Sequence, residues 1–208
     1  MKELSGRTRK RIVVGLGAFL VLAAIGMLLY AFLVVGEELA RLEGLTPFEP
    51  AQGLRVGQPI LVTTVIGDGN PLLVHDLVVA CEETQDTDSR AWMPRKQIHG
   101  PLVVDCEGIE ITVTLRQPCP RGRMSVIPDP ESRMRRWVGL RRGDTLTVVG
   151  KVAGIDPLAV RGEDAFAGSA DEYRRYLTRA RWYVVPVSAI FLVAGLGLIA
   201  SGARRRDG

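Results

Sequence analysis

Residues 12–36 read IVVGLGAFLVLAAIGMLLYAFLVVG and contain no charged residue. As a helix rising roughly 1.5 Å per residue, this run would extend about 37 Å, which exceeds a bilayer hydrocarbon core of about 30 Å. A helix in water does not need an apolar surface on every side over such a length. The run is therefore predicted to span a membrane, and the rest of the chain is interpreted relative to that span.

A second apolar run lies near the other end of the chain. Residues 182–203 are uncharged and include the segment FLVAGLGLIASG. Trp182 and Tyr183 begin this run, where aromatic side chains often mark the membrane interface, and Pro186 falls in its first turns, where a kink is tolerated. The run predicts a second span, which places both termini on the same side of the membrane.

The charges beside the first run indicate an orientation. Five basic residues precede it and only Arg41 follows soon after, which predicts a cytoplasmic N-terminus. The second run gives an ambiguous signal, with four arginines before it and three after it, so the first run decides. A cleaved signal peptide is the alternative, but its apolar core usually covers about 7–15 residues, and no A-x-A-like site follows this run. We therefore predict an uncleaved signal anchor in the cell membrane, cytoplasmic termini and an extracytoplasmic middle.

The formal net charge of +4 comes from the two ends of the chain. Setting aside the five basic residues before the first run and the three at the C-terminus leaves 19 of the 27 basic residues. Setting aside Glu3 and Asp207 leaves 21 of the 23 acidic residues. The middle is thus slightly acidic, and nucleic acid is not expected as a partner.

Between the two runs the pattern predicts short strands. Apolar, β-branched segments alternate with Gly, Pro, Asp and Asn. Strands are expected at 59–66, 72–81 (one or two), 102–106, 109–115, 145–152 and 158–160, with a hairpin turn at Glu107-Gly108 and loops at 82–90 and 116–136. Five to seven short strands with Gly turns predict a mainly-β, OB-like small barrel.

Polar helical segments adjoin both apolar runs. The segment EELARLEG (37–44) extends the first helix, with Gly44 as its stop. Ser169 and Glu172 have the spacing of a capping box, which predicts a helix that begins at Ser169 and runs directly into the second span.

The three cysteines, Cys81, Cys106 and Cys119, contain no C-x-x-C pair, so neither a zinc knuckle nor a thioredoxin-like motif is present. If 102–106 and 109–115 pair as a hairpin, Cys106 lies at its tip and Cys119 beyond its open end. These two should not bond, since a disulfide needs Cα atoms within about 7 Å. Cys81 and Cys119 could approach each other at the open end, and the sequence leaves the pairing open.

Segments of the middle resemble a known family. They are DLVVACEE (76–83), the lone Trp92 in the following loop, GPLVVDCEGIEITV (100–113) and RRGDTLTVVGKV (141–152). Together with the flanking spans, they resemble the GIDE-type membrane ubiquitin ligases and their prokaryotic relatives, whose domain between the spans is called the "beside a membrane" domain. In the ligases a zinc-binding RING follows the second span, whereas the printed sequence ends five residues after the apolar run. The resemblance therefore implies a GIDE-like domain and topology in a prokaryotic-like member that lacks the RING, and no ligase activity.

The densest charge cluster of the middle is the candidate contact site. It could bind an anionic headgroup, a glycan phosphate or an acidic partner, or it could be a solvated loop with its tryptophan packed into the barrel. Its residues are Arg133, Arg135, Arg136, Trp137, Arg141 and Arg142.

Other chemical groups favour structural roles. His75 and His99 have no spacing that joins them to the cysteines as metal ligands, so no metal or cofactor is predicted. Asp105, Glu107 and Glu110 are interpreted as solvated carboxylates at a hairpin tip rather than as an acid–base site. The sequence contains no G-x-S-x-G, H-E-x-x-H or phosphate-binding glycine loop, so no enzyme is expected.

The sequence thus predicts a non-catalytic, membrane-anchored interaction or scaffold protein with two transmembrane helices. Its partners would be membrane lipid and either another protein or a second copy of the chain. The alternative is a sensor of lipid or anionic ligand that uses the cluster at 133–142. The predicted order is cytoplasmic tail (1–11), first span (12–36), extracytoplasmic GIDE-like β domain (37–168), juxtamembrane helix (169–181), second span (182–203) and basic cytoplasmic tail (204–208).

Overall fold

A computed structural model of the chain describes residues 6–49, 53–117 and 119–204. The outermost parts of both predicted tails, 1–5 and 205–208, lie outside the described residues. The chain forms two compact units. One, here called the helix pair, comprises Met1–Arg41 with Arg175–Gly208, and the other, here called the β domain, comprises Leu42–Arg174.

Two long helices contain the apolar runs. The first consists of α1 (Gly6–Leu29), a π-helical turn (Tyr30–Val34) and α2 (Val35–Gly44), and it ends at the predicted glycine. The second is α3 (Ala170–Arg204). The stretches Arg11–Gly44 and Ala170–Gly202 are long and apolar enough to cross a membrane.

The predicted capping box begins α3. The Ser169 backbone N–H donates to Glu172 Oε2 at 2.9 Å, and the Glu172 N–H donates to Ser169 Oγ at 3.3 Å. The helix continues without a break through Pro186. The prediction of one helix that runs from the cap into the second apolar run is confirmed.

Glycines allow α1 and α3 to make a close antiparallel contact. A Cβ atom added to Gly17 would lie 2.7 Å from the carbonyl oxygen of Gly195, and one added to Gly195 would lie 2.7 Å from that of Gly17. A Cβ on Gly202 would likewise lie 2.6 Å from Val14 Cγ2. The two backbones therefore approach to a distance that leaves no room for side chains, as in many helix pairs of membrane proteins.

Buried small residues recur along this contact, which we call the seam. They lie seven residues apart on each helix, a spacing that keeps one side of a helix against its partner. Because the helices are antiparallel, the Gly17–Gly195 contact places Ala24 opposite Ser188. The Ser188 hydroxyl is buried without a hydrogen-bond partner in the part of the chain that the structure describes. The seam residues are Gly17, Ala24 and Ala31 on the first helix and Ser188, Gly195 and Gly202 on α3.

Gly15, Gly26 and Gly197 do not contribute to the seam. A Cβ on any of the three would meet nothing within 4 Å. Each lies two residues from a seam position, which places it on nearly the opposite side of its helix.

The β domain contains ten strands among its described residues, more than the five to seven predicted. They are β1 (Pro59–Ile66), β2 (Leu77–Gln85), β3 (Trp92–Ile98), β4 (Leu102–Cys106), β5 (Ile109–Leu115), β6 (Arg121–Gly122), β7 (Ser125–Asp129), β8 (Ser132–Arg141), β9 (Thr145–Ile155) and β10 (Leu158–Ala167).

Five of these strands close into a barrel. The order is β5-β4-β1-β9-β10, and β10 pairs with β5 to complete the circle. That closing pair is parallel, with Thr112 beside Ala159, whereas the other four pairs are antiparallel. The arrangement fits the predicted OB-like small barrel. The β4–β5 hairpin is confirmed, and its turn has φ of 54° at Glu107 and 85° at Gly108, the left-handed values that a tight hairpin requires.

Four of the other five strands form a second sheet in the order β3-β2-β8-β7, and the short strand β6 pairs in parallel with β10. The prediction of a loop over 116–136 is wrong, because β6, β7 and half of β8 lie there. Proline and arginine suggested a loop, but Pro128 lies on the edge strand β7, where a missing N–H is tolerated. The predicted loop at 82–90 is shorter, since β2 continues to Gln85, and Trp92 belongs to β3 rather than to a loop.

One hydrophobic core joins the two sheets. Alternate residues of the barrel strands point inward, among them Ile60, Val62, Ile111 and Val148, all at most 1% exposed. Val79, Leu140 and their neighbours on β2 and β8 belong to the same cluster. The second sheet is therefore anchored to the barrel at one end, and its other end extends into solvent.

A disulfide adds a covalent link between the sheets. Cys81 on β2 bonds to Cys119, which follows β5, and their Cα atoms are 6.0 Å apart. Cys106 stays free at the hairpin tip. The expectation that Cys106 and Cys119 do not bond is confirmed. The bridge spans 38 residues, and closing such a loop restricts the unfolded chain by about 4 kcal/mol in the chain-entropy description.

The seam predicts unequal effects of two nearby glycine substitutions. Gly195→Val forces a side chain against the Gly17 carbonyl and should destabilise the detergent-solubilised protein by about 1–3 kcal/mol. Gly197→Val makes the same chemical change where space is open and should change stability much less. Thermal unfolding followed by circular dichroism gives the comparison, and equal losses for both variants would contradict the seam.

Candidate functional site

The predicted arginine cluster lies on and just after β8. Successive residues of a strand point to opposite sides of the sheet, so Arg135 and Arg136 cannot belong to one surface. Arg133, Arg135 and Trp137 share one side of the sheet, and Arg136 lies on the other. Arg141 ends the strand and Arg142 begins the following turn. The structure thus distributes the cluster over different surfaces.

Four of the five arginines have partners within the β domain. Arg135 Nε lies 3.2 Å from Asp129 Oδ2, and Arg141 Nε lies 2.8 Å from Asp76 Oδ2. Arg142 donates from Nε and Nη2 to the backbone carbonyl of Asn70, at 3.2 and 2.6 Å.

Arg142 and the side chain of Asn70 fix the same segment of the chain by hydrogen bonds. That side chain is 1% exposed and exchanges hydrogen bonds with the backbone of Val103. Arg142 therefore holds the segment after β1 in place. Arg133 is exposed and has no ion-pair partner among the described residues.

Arg136 has the most extensive contacts of the cluster. Its Nε and Nη2 lie 2.8 and 2.7 Å from Glu83 Oε2, and its guanidinium carbon lies 4.1 Å from the centre of the Trp92 ring. Strand pairing sets this geometry, because Arg136 is opposite Glu83 on β2, and Trp92 is opposite Gln85, two residues further along β2. A charge-assisted pair and a cation–π contact thus fix the same guanidinium.

Apolar side chains surround this ion pair on the same side of the sheet. Pro94, Glu83, Arg136 and Pro128 form one row across all four strands. Met134, two residues before Arg136, shares its side of β8 and is 37% exposed.

Val126 shares the side of Pro128 and is 50% exposed. We call this surface the Trp92 face. It consists of Trp92, Pro94, Val126, Pro128 and Met134 around the Arg136–Glu83 pair.

Trp137 does not contribute to the Trp92 face. It lies on the opposite side of β8, where it is half-buried and pairs with Glu82 on β2 and with Ile127 on β7. The sequence identified Arg136 but missed Trp92 and Glu83 as its partners, since both are distant in the chain. The one local signal was a tryptophan and a proline two residues apart, at 92 and 94, a spacing that places both on one side of a strand.

The remaining candidate groups lie apart from the Trp92 face. Asp105, Glu107 and Glu110 are exposed at the β4–β5 turn, where Asp105 Oδ1 accepts from the Gly108 N–H at 3.0 Å. His75 and His99 are exposed, and no group of three potential metal ligands occurs in the ranges that the structure describes.

Cys106 and Asp86 have shifted pKa values. Partial burial, with help from the carboxylates of Glu107 and Asp105, raises the pKa of the Cys106 thiol, so this cysteine is a poor nucleophile at neutral pH. Hydrogen bonds from the backbone N–H groups of Asp88 and Ser89 lower the pKa of Asp86. Asp86 therefore organises its exposed loop as a carboxylate.

Comparisons with protein-family models, with curated proteins and with solved structures find no match for this chain.

The contacts of Arg136 predict that it contributes more to the stability of the β domain than Arg133 does. Arg136→Gln removes the pair with Glu83 and the contact with Trp92, and it should lower the free energy of unfolding by about 1–3 kcal/mol. Arg133→Gln removes the same charge from an exposed position and should change it by less than about 0.5 kcal/mol. Denaturant unfolding followed by tryptophan fluorescence measures both, and a larger loss for Arg133→Gln would refute the assignment.

Proposed function

We propose that this chain is a non-catalytic, membrane-anchored interaction protein that presents its β domain to a protein partner through the Trp92 face. The observation that carries the proposal is the composition of that face. Tryptophan, methionine and arginine are the residue types enriched in protein interfaces, and tryptophan and arginine dominate their binding hot spots.

The preorganisation of the Trp92 face supports this role. Arg136 and Trp92 already hold each other in place, so little side-chain freedom would be lost on binding. The charge of Arg136 is matched by Glu83, which leaves the surrounding proline, methionine and valine surface free of net charge. Such a surface suits an apolar protein partner or a second copy of the chain.

The alternative function, a sensor that binds lipid or an anionic ligand through residues 133–142, has weaker support. Arg135, Arg136, Arg141 and Arg142 already contact carboxylates or a carbonyl within the domain. An anion would have to compete with these partners. It would also find the guanidinium groups on different surfaces rather than converging on one point.

Membrane anchoring is supported by the helix pair. Only 11% of the most apolar window of each helix is buried in the fold, whereas a core helix of a water-soluble protein would be mostly buried. Phe19, Leu22, Ile190 and Val193 are among the exposed apolar residues, each more than 60% exposed. A bilayer would cover this surface, while the seam would hold the two helices together within it.

The proposed orientation places the termini in the cytoplasm and the β domain outside it. The basic residues before the first apolar run favour this direction. The Cys81–Cys119 bridge agrees, because disulfides persist in oxidising compartments. The GIDE-like identity of the domain remains part of the proposal, supported by the quoted segments and by a five-stranded barrel in the middle of the chain.

Cysteine labelling in intact cells tests the orientation. In a Cys106→Ala background, a cysteine replacing the exposed Thr87 should react with a membrane-impermeant maleimide, while Cys81 and Cys119 stay joined. Thr87 is chosen because Asp86 organises the loop. A cysteine replacing Ser5 should react only after permeabilisation, and the reverse pattern would place the β domain in the cytoplasm.

Site-specific photo-crosslinking tests the interaction. A benzophenone amino acid at Met134 should give protein adducts in native membranes, and Trp92→Ala should reduce them at least tenfold. The matched control is the same probe at Ile155, whose side chain is 53% exposed but lies outside the Trp92 face. An adduct of twice the chain's mass would identify a second copy as the partner. Equal adducts at both positions, or adducts with lipid alone, would refute the proposal.

A further inference from the structure

The helix pair carries a second contact zone near Arg181. The Arg181 guanidinium lies 4.5 Å from the centre of the Phe32 ring, a cation–π contact between α3 and the π-helical turn. At roughly 1.5 Å per residue, the path from Gly17 to Phe32 is about 22 Å and that from Gly195 to Arg181 about 21 Å. The two helices therefore run side by side over this length, and residues near Phe32 lie level with residues near Arg181.

Exposed aromatic residues cluster at this level. Tyr30 on the first helix is 58% exposed, and Trp182 and Tyr183 on α3 are 64% and 73% exposed. Such side chains, with an apolar ring and a polar atom, concentrate where a membrane meets water. Their common level would place the boundary between membrane and water in one plane across both helices.

Helix length agrees with a membrane boundary at this plane. Measured from Ile12 to Tyr30, the first helix extends about 27 Å, and α3 from Trp182 to Ser201 extends about 28 Å, at roughly 1.5 Å per residue. Both values match a hydrocarbon core of about 30 Å, whereas the full apolar run 12–36 is too long for it. Residues 31–36 would then lie in the headgroup layer rather than in the hydrocarbon.

Arginines lie directly beyond this plane. Arg175 and Arg179 are exposed, four residues apart on one side of α3, and neither has an ion-pair partner among the described residues. Glu37 lies at a similar level on the other helix, and within the described ranges no ion pair joins it to these two arginines. The arginines at 175, 179 and 181 outnumber the glutamates at 37 and 38 on the other helix, so the zone keeps a positive charge.

We infer that this zone binds the phosphate groups of anionic phospholipids at the level of Tyr30 and Trp182. Guanidinium groups bind phosphate through paired, charge-assisted hydrogen bonds. Arg175 and Arg179 supply free guanidinium groups, and Phe32 holds Arg181 at the edge of the apolar zone. The inference rests on the membrane insertion in the proposed function and goes beyond it by naming a lipid class and the residues that bind it.

The depth of Trp182 tests the position of the plane. In the full chain with Trp92→Phe and Trp137→Phe, Trp182 is the remaining tryptophan. Reconstituted in bilayers, its fluorescence should be quenched more by lipids brominated near the headgroup than by lipids brominated near the chain ends. If the plane were instead at Gly36, Trp182 would lie about 9 Å deeper at roughly 1.5 Å per residue, and the order of quenching would reverse.

Lipid retention tests the binding. Native mass spectrometry of the full chain should show preferential retention of phosphatidylglycerol over phosphatidylcholine. The variant Arg175→Gln/Arg179→Gln should reduce the retention of phosphatidylglycerol roughly 30-fold, since each basic contact near the surface contributes on the order of tenfold or less. The control variant Arg133→Gln/Arg161→Gln removes the same charge from exposed positions of the β domain and should not change it.

The outcomes separate the two proposals. Displacement of phosphatidylglycerol by millimolar inorganic phosphate would identify free phosphate as the ligand and overturn the lipid assignment, as would equal retention by both double variants. Extraction of the wild-type chain from membranes by alkaline carbonate would instead refute membrane insertion, and with it the proposed function.

Discussion

The parallel pairing of β5 with β10 is the constraint on which the β domain depends. It closes five strands into a barrel, so that each has a partner on both sides. The strands between β1 and β4, and those between β5 and β9, cannot join this closed circle as additional members. They pair mainly with each other as a second sheet, which reaches the barrel through shared core residues and the Cys81–Cys119 bridge. The closure thus creates an extended sheet with a free outer end, where the Trp92 face lies.

Strand alternation then determines what the charged residues can do. A run of arginines in sequence suggests one basic surface, but a strand divides it between two sides of a sheet. Each side provides its own partners, Asp129 for Arg135 and Glu83 for Arg136. The cluster therefore contributes mainly to the internal order of the second sheet. On the Trp92 face it leaves an apolar surface around the Arg136–Glu83 pair, and the proposed protein contact rests on this surface.

The helix pair is held together by close packing of small residues rather than by strand pairing. Its contact depends on the absence of side chains at Gly17 and Gly195, and the small residues that extend it recur every seven positions. Larger apolar residues, such as Phe19 and Ile190, are left exposed on the outside of the pair. The same antiparallel alignment brings Phe32 to Arg181 and aligns the aromatic residues of both helices. One close contact thus determines which residues of the two helices lie at the same level.

The sequence by itself determined the local elements of this protein. The two apolar helices, the capping box at Ser169, the stop at Gly44, strand β1 and the Glu107-Gly108 hairpin all follow from patterns within a few residues, because helix periodicity, caps and turns are local interactions. The exclusion of a Cys106–Cys119 bond followed from the hairpin in the same way. Three features required the tertiary structure: the pairing that closes the barrel, the Glu83–Arg136–Trp92 stack and the seam at Gly195. Their partners lie tens to more than a hundred residues apart. Composition also misled at 116–136, where proline and arginine suit an edge strand as well as a loop. Only when distant strands and helices were placed side by side was it decided which arginines were paired and which glycines were covered.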